Sequence, residues 1–232
     1  SALLPVLQNS LATSRGFGHY DPDTGSLDFI PGTAPGWPTR RFNDGRCDRA
    51  GRFWTGTMRL RGDAHREGLF RFESGRDLAR VDDGFTVCNR LDWSPDSVAL
   101  YLVDTSSIRF YAYDFDVVSG TVANRRVFVD TSNIEGRPDG LVVDAEGGVW
   151  VAIAGGWQLR RYGPDGRAER TLRLPVPRPT SCAFGGPALD TLYITSSRLG
   201  LSSRELAAAP LSGCLFAFDV GLAGSPVRKF SN

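Results

Sequence analysis

The chain has 232 residues, of which 41% are hydrophobic, enough to bury a substantial core within one domain. Lysine and arginine together number 27 against 26 aspartates and glutamates, so the formal net charge is only +1. A chain this close to neutrality has no overall field to gather polyanions, and we therefore predict neither nucleic acid nor an acidic membrane surface as a partner.

The four cysteines are far apart in the sequence, with no CxxC pair and no nearby histidine that would complete a zinc site. We therefore predict free, buried thiols in a reducing compartment, with two long-range disulfides as the alternative. There is no basic leader with a cleavage site, and no run of eighteen apolar residues. The prediction is a soluble, cytoplasmic protein.

Two series of internal repeats run along the chain. The first is a turn followed by an alternating strand, found at 48–57, 94–105, 144–154 and 186–197. The aromatic anchors of these strands are separated by 47, 49 and 43 residues, namely Trp54, Tyr101, Trp150 and Tyr193. This period is typical of a four-stranded propeller blade, and at such spacing the anchors are expected to be core residues rather than a sugar-stacking surface.

The second series is an aromatic-rich strand that ends at a glycine turn, found at 16–25, 68–75, 110–120, 159–166 and 214–221. The two series together predict an all-β propeller that forms a single domain over 1–232. Because the second series has five copies and the first has four, we expect about four and a half blades, with the chain starting in the middle of a blade. The chain is then either a fragment or a five-bladed ring closed by a short end strand, and open blade edges predict self-association. The best helical candidate, 202–210, stops at Pro210 and is expected to form about one turn.

Polar residues cluster just before each strand of the first series, where a propeller has loops near its central channel. If the repeats superimpose, four oxygen-bearing side chains point towards the axis: Asn43, Asp44, Asn89 and Asp139. Such oxygens suit a hard divalent cation. An aspartate in a β-turn more often accepts backbone hydrogen bonds, and that is the alternative for Asp44, Asp92, Asp96, Asp144 and Asp165. The two histidines, His19 and His65, lie in no nucleophile-elbow context and predict no catalytic triad.

Four segments in order, RFNDGRCDRAGRFWTGTM, NRLDWSPD, PDGLVVDAEGGVWVA and TSCAFGG with LYITSSR, resemble the blade motifs of the senescence marker protein, regucalcin and gluconolactonase family. The resemblance extends over nearly the whole chain, from about Gly16 to Phe230. It implies a six-bladed propeller that hydrolyses a sugar lactone and holds one divalent metal ion, Ca, Zn, Mn or Mg, in its channel.

Residue by residue, the resemblance places the metal on Asn89 and Asp139, with Asp139 also a candidate catalytic base. The substrate-contacting positions of the RFNDG motif fall on Arg41 and Asn43, with Asp44 beside them. The family's first-blade glutamate ligand has no counterpart in this chain, and Arg90 replaces the glycine that usually follows the metal-binding asparagine. Arg90 either points into solvent, contacts an acidic group of the substrate, or marks a site no longer used for hydrolysis. The alternative function is therefore a non-catalytic propeller that binds a metal or small ligand, or an incomplete, inactive relative.

Overall fold

The computed structural model describes residues 4–6, 10–34, 39–60, 67–73, 75–226 and 229–230. In this part of the chain, nineteen β-strands form five antiparallel sheets, and in each sheet consecutive strands are neighbours. Four sheets have four strands and the last has three. The sheets follow one another in chain order, and the first strands of sheets 2 to 5 pack against one another. The chain is an all-β propeller.

Each sheet is built from strands that are consecutive in the chain. Sheet 1 comprises β1 (Leu4–Val6), β2 (Ser10–Thr13), β3 (Gly16–Tyr20) and β4 (Leu27–Phe29). Sheet 2 comprises β5 (Arg40–Cys47), β6 (Phe53–Arg59), β7 (Glu67–Phe72) and β8 (Ala79–Phe85). Sheet 3 comprises β9 (Cys88–Trp93), β10 (Ala99–Asp104), β11 (Arg109–Asp116) and β12 (Thr121–Asp130). Sheet 4 comprises β13 (Arg137–Val143), β14 (Val149–Ala154), β15 (Gln158–Tyr162) and β16 (Ala168–Arg173). Sheet 5 comprises β17 (Pro179–Gly185), β18 (Thr191–Ser196) and β19 (Leu215–Asp219), with the helix α1 (Ser203–Ala208) before its last strand.

The half blade expected at the front is wrong. Strand β1 pairs with β2, and β2 pairs with β3, so sheet 1 has four strands. Their three and four residues lack the turn-and-aromatic pattern of the other copies, which is why the repeat did not reveal them. The short helix is confirmed: Ser202 caps α1, and Glu205 completes a capping box.

Each pair of neighbouring sheets is joined by its own hydrophobic core. Four such clusters lie between sheets 1 and 2, 2 and 3, 3 and 4, and 4 and 5, and among the described residues none joins sheet 5 to sheet 1. Trp54, Tyr101 and Trp150 are buried in these cores, as predicted. Tyr193 is not: it is 37% exposed, because it lies on the face of sheet 5 that no other sheet covers.

Aspartates in two turns form hydrogen bonds with the tryptophans of two of these cores. Asp144 accepts hydrogen bonds from the indole N–H of Trp150 at 2.9 Å and from Arg161 Nε at 2.7 Å. In sheet 2, Asp48 accepts from the indole of Trp54 at 2.9 Å and from Arg52 Nε at 2.7 Å. The interpretation of Asp144 as a structural turn residue is confirmed, and Asp96 and Asp165 likewise accept backbone N–H groups of their own turns.

After β19 the chain returns across the propeller. Gly224 forms a β-bridge with Asp144 of the β13–β14 turn, and the amide of Ala145 donates to Ala223 O at 2.8 Å. Phe230 is then buried in the core between sheets 1 and 2, where its ring stacks on Phe72 with the centroids 5.6 Å apart. A segment that follows the fifth sheet therefore completes the core of the first two.

All four cysteines are free, as predicted, and Cys47, Cys88 and Cys182 are buried. The expected burial is wrong for Cys214, which is exposed. No helix in the described ranges is long and apolar enough to cross a membrane.

Candidate functional site

The candidate site residues lie on the first strands of the sheets, and not in loops before them as the sequence suggested. Each of β5, β9, β13 and β17 has a register irregularity near its beginning, for example between Phe42 and Gly45 on β5 and between Pro138 and Leu141 on β13. A bulge inserts an extra residue and turns a side chain out of the regular alternation. These irregularities lie at the same end of neighbouring strands and present the polar side chains there.

Asn89 and Asp139 meet at the centre of this site. Asn89 Nδ2 donates to Asp139 Oδ1 at 2.6 Å, although the two residues come from different sheets and are 50 positions apart in the sequence. Asn89 Nδ2 also donates to Thr105 Oγ1 at 2.8 Å. The structure thus brings together the two side chains that the sequence singled out as metal ligands.

Asp139 is largely removed from water in this position. Burial raises the pKa of its carboxyl to about 6, because the charged form loses its hydration. The hydrogen bond from Asn89 and the charge of Arg178 oppose this rise, whereas the charge of Asp44 adds to it. A buried carboxylate with so little compensation favours a nearby cation.

Asp44 is held by an ion pair with Arg90. Arg90 Nη1 lies 3.0 Å from Asp44 Oδ1, and the amide of Gly45 donates to the same oxygen at 2.7 Å. The Arg90 side chain is only 19% exposed, so the alternative in which it points into solvent is wrong. Asp44 thus accepts a backbone hydrogen bond, as expected of a turn aspartate, and is also paired with Arg90.

Asn43 and Arg41 lie beside this group on β5. Asn43 Nδ2 donates to Cys88 O at 3.3 Å, which links sheet 2 to the residue before Asn89. Arg41 Nη1 donates to Phe42 O at 2.8 Å, and burial lowers the pKa of its guanidinium. Neither side chain is hydrogen-bonded to Asp139, and Asn43 retains its Oδ1 for a ligand.

Asn89 and Asp139 fit a hard divalent cation as a pair of oxygen ligands. Both side chains offer oxygen, the element that Ca²⁺ and Mg²⁺ prefer, and the buried carboxylate supplies the negative charge. Among the described residues, no group of three or more histidines, cysteines, aspartates or glutamates surrounds such an ion. The pair therefore fits a cation that keeps several water ligands, and Asn89 would have to present its amide oxygen in place of Nδ2.

Sequence reasoning missed two residues of this site. Thr105 accepts a hydrogen bond from Asn89. The run of small residues that ends each strand of the first series was the sequence feature that could have indicated it. Arg178 acts on Asp139, and its signal was the repetition of RPD at 137–139 as RPT at 178–180. In the second copy Thr180 and Thr195 are joined by their hydroxyls at 2.9 Å, which parallels the pairing of Asn89 with Thr105.

His19 is exposed on β3, whereas His65 lies outside the described residues.

The chain is similar in sequence to the proteins of a known family. A family model described as SMP-30/Gluconolactonase/LRE-like region matches residues 6–198. Regucalcin from Danio rerio is 38% identical over 198 residues, which cover 84% of this chain and 67% of that protein. The chain spans about two thirds of the length of the curated regucalcins it matches.

Solved structures agree with this assignment. The crystal structure of regucalcin from Agrobacterium tumefaciens, described as a calcium-binding protein, is 28% identical and superimposes with a TM-score of 0.90, covering 100% of this chain and 79% of its own. A gluconolactonase from Xanthomonas campestris, 23% identical with a TM-score of 0.67, covers 84% of this chain and 68% of its own and shares the fold.

Proposed function

Because the chain belongs to the SMP-30/gluconolactonase/LRE-like family, we propose that it hydrolyses a sugar lactone with one divalent cation held by Asn89 and Asp139. The observation that carries this proposal is the contact between these two side chains, which come from different sheets and meet at 2.6 Å. A buried carboxylate beside an amide has little structural purpose, since burying it costs stability.

A bound divalent cation would supply Lewis-acid polarisation of the lactone carbonyl. Asp139 acts as the proton acceptor: it takes a proton from a water molecule while the water oxygen bonds to the carbonyl carbon. The ring C–O bond then breaks, the ring oxygen receives the proton, and a hydroxy acid leaves.

Arg41 and Asn43 orient the substrate. Among the described residues, Phe42 O is the one hydrogen-bond acceptor of the Arg41 guanidinium, and the remaining donors can hold ring or hydroxyl oxygens. Asn43 is fixed through its Nδ2, so its Oδ1 accepts a hydrogen bond from a substrate hydroxyl. Asp44 contributes a second carboxylate oxygen for the same purpose.

The test is lactone hydrolysis followed with a pH indicator. The protein is first stripped of metal, and Ca, Zn, Mn and Mg are then added back separately. We expect turnover to depend on one of these ions. Asp139→Ala should abolish both metal binding and turnover while the β-sheet circular dichroism is retained.

Asp165→Ala is the matched control, because Asp165 is an exposed turn aspartate whose partners in the described residues are the backbone amide and the guanidinium of Arg167. This variant should behave like the parent protein. Equal metal affinity in Asp139→Ala and the parent would overturn the assignment of Asp139 as a ligand.

The second candidate function is a propeller that binds a cation or small ligand without turnover. The ion pair of Arg90 with Asp44 favours it, because it ties up one carboxylate beside the proposed metal position. Calorimetry separates the two functions: Ca²⁺ binding without hydrolysis of any lactone would support this second candidate.

We also propose that the five sheets belong to a six-bladed ring in a cytoplasmic protein. The absence of a core between sheets 5 and 1 in the described part of the chain supports a ring with room for one more blade. The four free thiols support a reducing compartment. Self-association through open blade edges stays a prediction. The exposed Tyr193 and Leu215 on sheet 5 offer a further apolar surface for it.

A further inference from the structure

The site contains more positive than negative side chains. Two guanidinium groups act on its carboxylates: Arg90 is paired with Asp44, and the charge of Arg178 acts on Asp139. Arg41, three positions before Asp44 on β5, is a third cation on the same strand. A neutral sugar offers such a group of cations no countercharge.

Arg90 has unused hydrogen-bonding capacity. Its Nη1 donates to Asp44, whereas its Nε is buried and has no partner among the described residues. No hydrogen bond to another described residue involves its Nη2. A guanidinium held at one nitrogen only is ready to donate from another to a carboxylate.

Arg178 and Arg41 are similarly unsatisfied. Arg178 Nε is buried without a hydrogen-bond partner in the described ranges. Arg41 forms no ion pair with a described carboxylate, and its pKa is lowered because burial penalises its charge. Half-buried cations that form no ion pair carry a desolvation cost, and a bound anion would relieve it.

We propose that the substrate is an anionic sugar lactone, one that carries a carboxylate away from the lactone ring, and that Arg90 is the residue that selects it. This inference rests on the proposed function and names its substrate class. The lactone carbonyl lies at Asn89 and Asp139, and the free carboxylate pairs with the Arg90 guanidinium. Hydrolysis then releases a sugar dicarboxylate.

The experiment compares two lactones with the same five-membered ring, the gluconolactone and the glucarolactone, which differ at the far carbon in carrying a hydroxymethyl group or a carboxylate. We expect a higher kcat/KM for the glucarolactone. In Arg90→Gln the ratio of the two kcat/KM values should fall at least about tenfold, as expected for loss of a charge-assisted hydrogen bond. Arg167→Gln, at an exposed arginine outside the site, should leave the ratio unchanged.

Asp44→Asn separates this role from a merely structural one. If Arg90 only holds the strands together through Asp44, then Arg90→Gln and Asp44→Asn break the same ion pair and should shift the ratio in the same direction. If Arg90 binds the substrate carboxylate, Asp44→Asn frees the guanidinium and should raise the ratio. Parallel shifts in the two variants would overturn the proposal, as would an unchanged ratio in Arg90→Gln.

Binding of glucarate, measured by calorimetry, keeps the inference testable if no lactone is hydrolysed. Binding that is lost in Arg90→Gln but retained in Arg167→Gln would support the anion site even though the proposed hydrolysis had failed. Hydrolysis of both lactones at equal efficiency, with no effect of Arg90→Gln on the ratio, would leave the proposed function standing and refute the anionic substrate.

Discussion

The buried Asp139 carboxylate should lower the stability of the metal-free protein, and Asp139→Asn should remove that cost. The pKa of Asp139 is raised from 3.8 to about 6 in the folded chain, a rise of about 2 units that corresponds to about 3 kcal/mol. Because the folded pKa is the higher one, ionisation favours the unfolded state. The penalty is absent below pH 4, grows between about pH 4 and 6, and is complete above pH 6.

Urea denaturation in the presence of a chelator, at several pH values from 4 to 8, measures this effect. The asparagine can still accept the hydrogen bond from Asn89, so the variant should match the parent at pH 4 and exceed it by up to about 3 kcal/mol at pH 7.5. Asp165→Asn should show no such trend. Added Ca²⁺ should stabilise the parent alone, since only it keeps the carboxylate ligand. A variant less stable than the parent at pH 7.5, or a difference independent of pH, would refute the reasoning.

Three further predictions concern the remaining structure. Asp144→Ala should destabilise the fold by about 3–5 kcal/mol in denaturant unfolding, because it leaves the nearly buried Arg161 guanidinium without its main partner; a loss below 1 kcal/mol would contradict this. In the native protein Ellman's reagent should modify only the exposed Cys214, since burial raises the pKa of the other three thiols, and all four should react after denaturation. If the chain self-associates through sheet 5, Leu215→Glu should shift its sedimentation equilibrium towards the monomer, and an unchanged distribution would argue against this face.

The sequence predicted the propeller because each blade repeats one local pattern, a turn followed by an alternating strand. That pattern located sheets 2 to 5 and the buried anchors Trp54 and Trp150. It could not locate β1 and β2, which are too short to carry the pattern. It also misjudged Tyr193, because burial of a blade anchor depends on whether another sheet packs against it, and one strand does not encode this.

The sequence predicted which residues belong to the site better than it predicted the contacts between them. Asn89 and Asp139 were found by their motifs, and their meeting at 2.6 Å agrees with the superposition of the repeats. The bulges that aim them could not be predicted, since a bulge depends on pairing with the next strand. The ion pair of Arg90 with Asp44 joins residues 46 positions apart, and a single sequence gives no signal for such a pair.

The position of Phe230 has a consequence for the order in which the protein can fold. Its partner Phe72 emerges from the ribosome 158 residues earlier, so the core between sheets 1 and 2 stays unfinished during most of synthesis. Closing so long a loop costs conformational entropy, and this cost is offset only once the contact between the two rings has formed. Sheets 1 and 2 precede the other three sheets in the chain, yet they should be the last of the five to gain protection from hydrogen exchange. The nascent chain should expose their aromatic surface to chaperones until the segment after β19 has been synthesised.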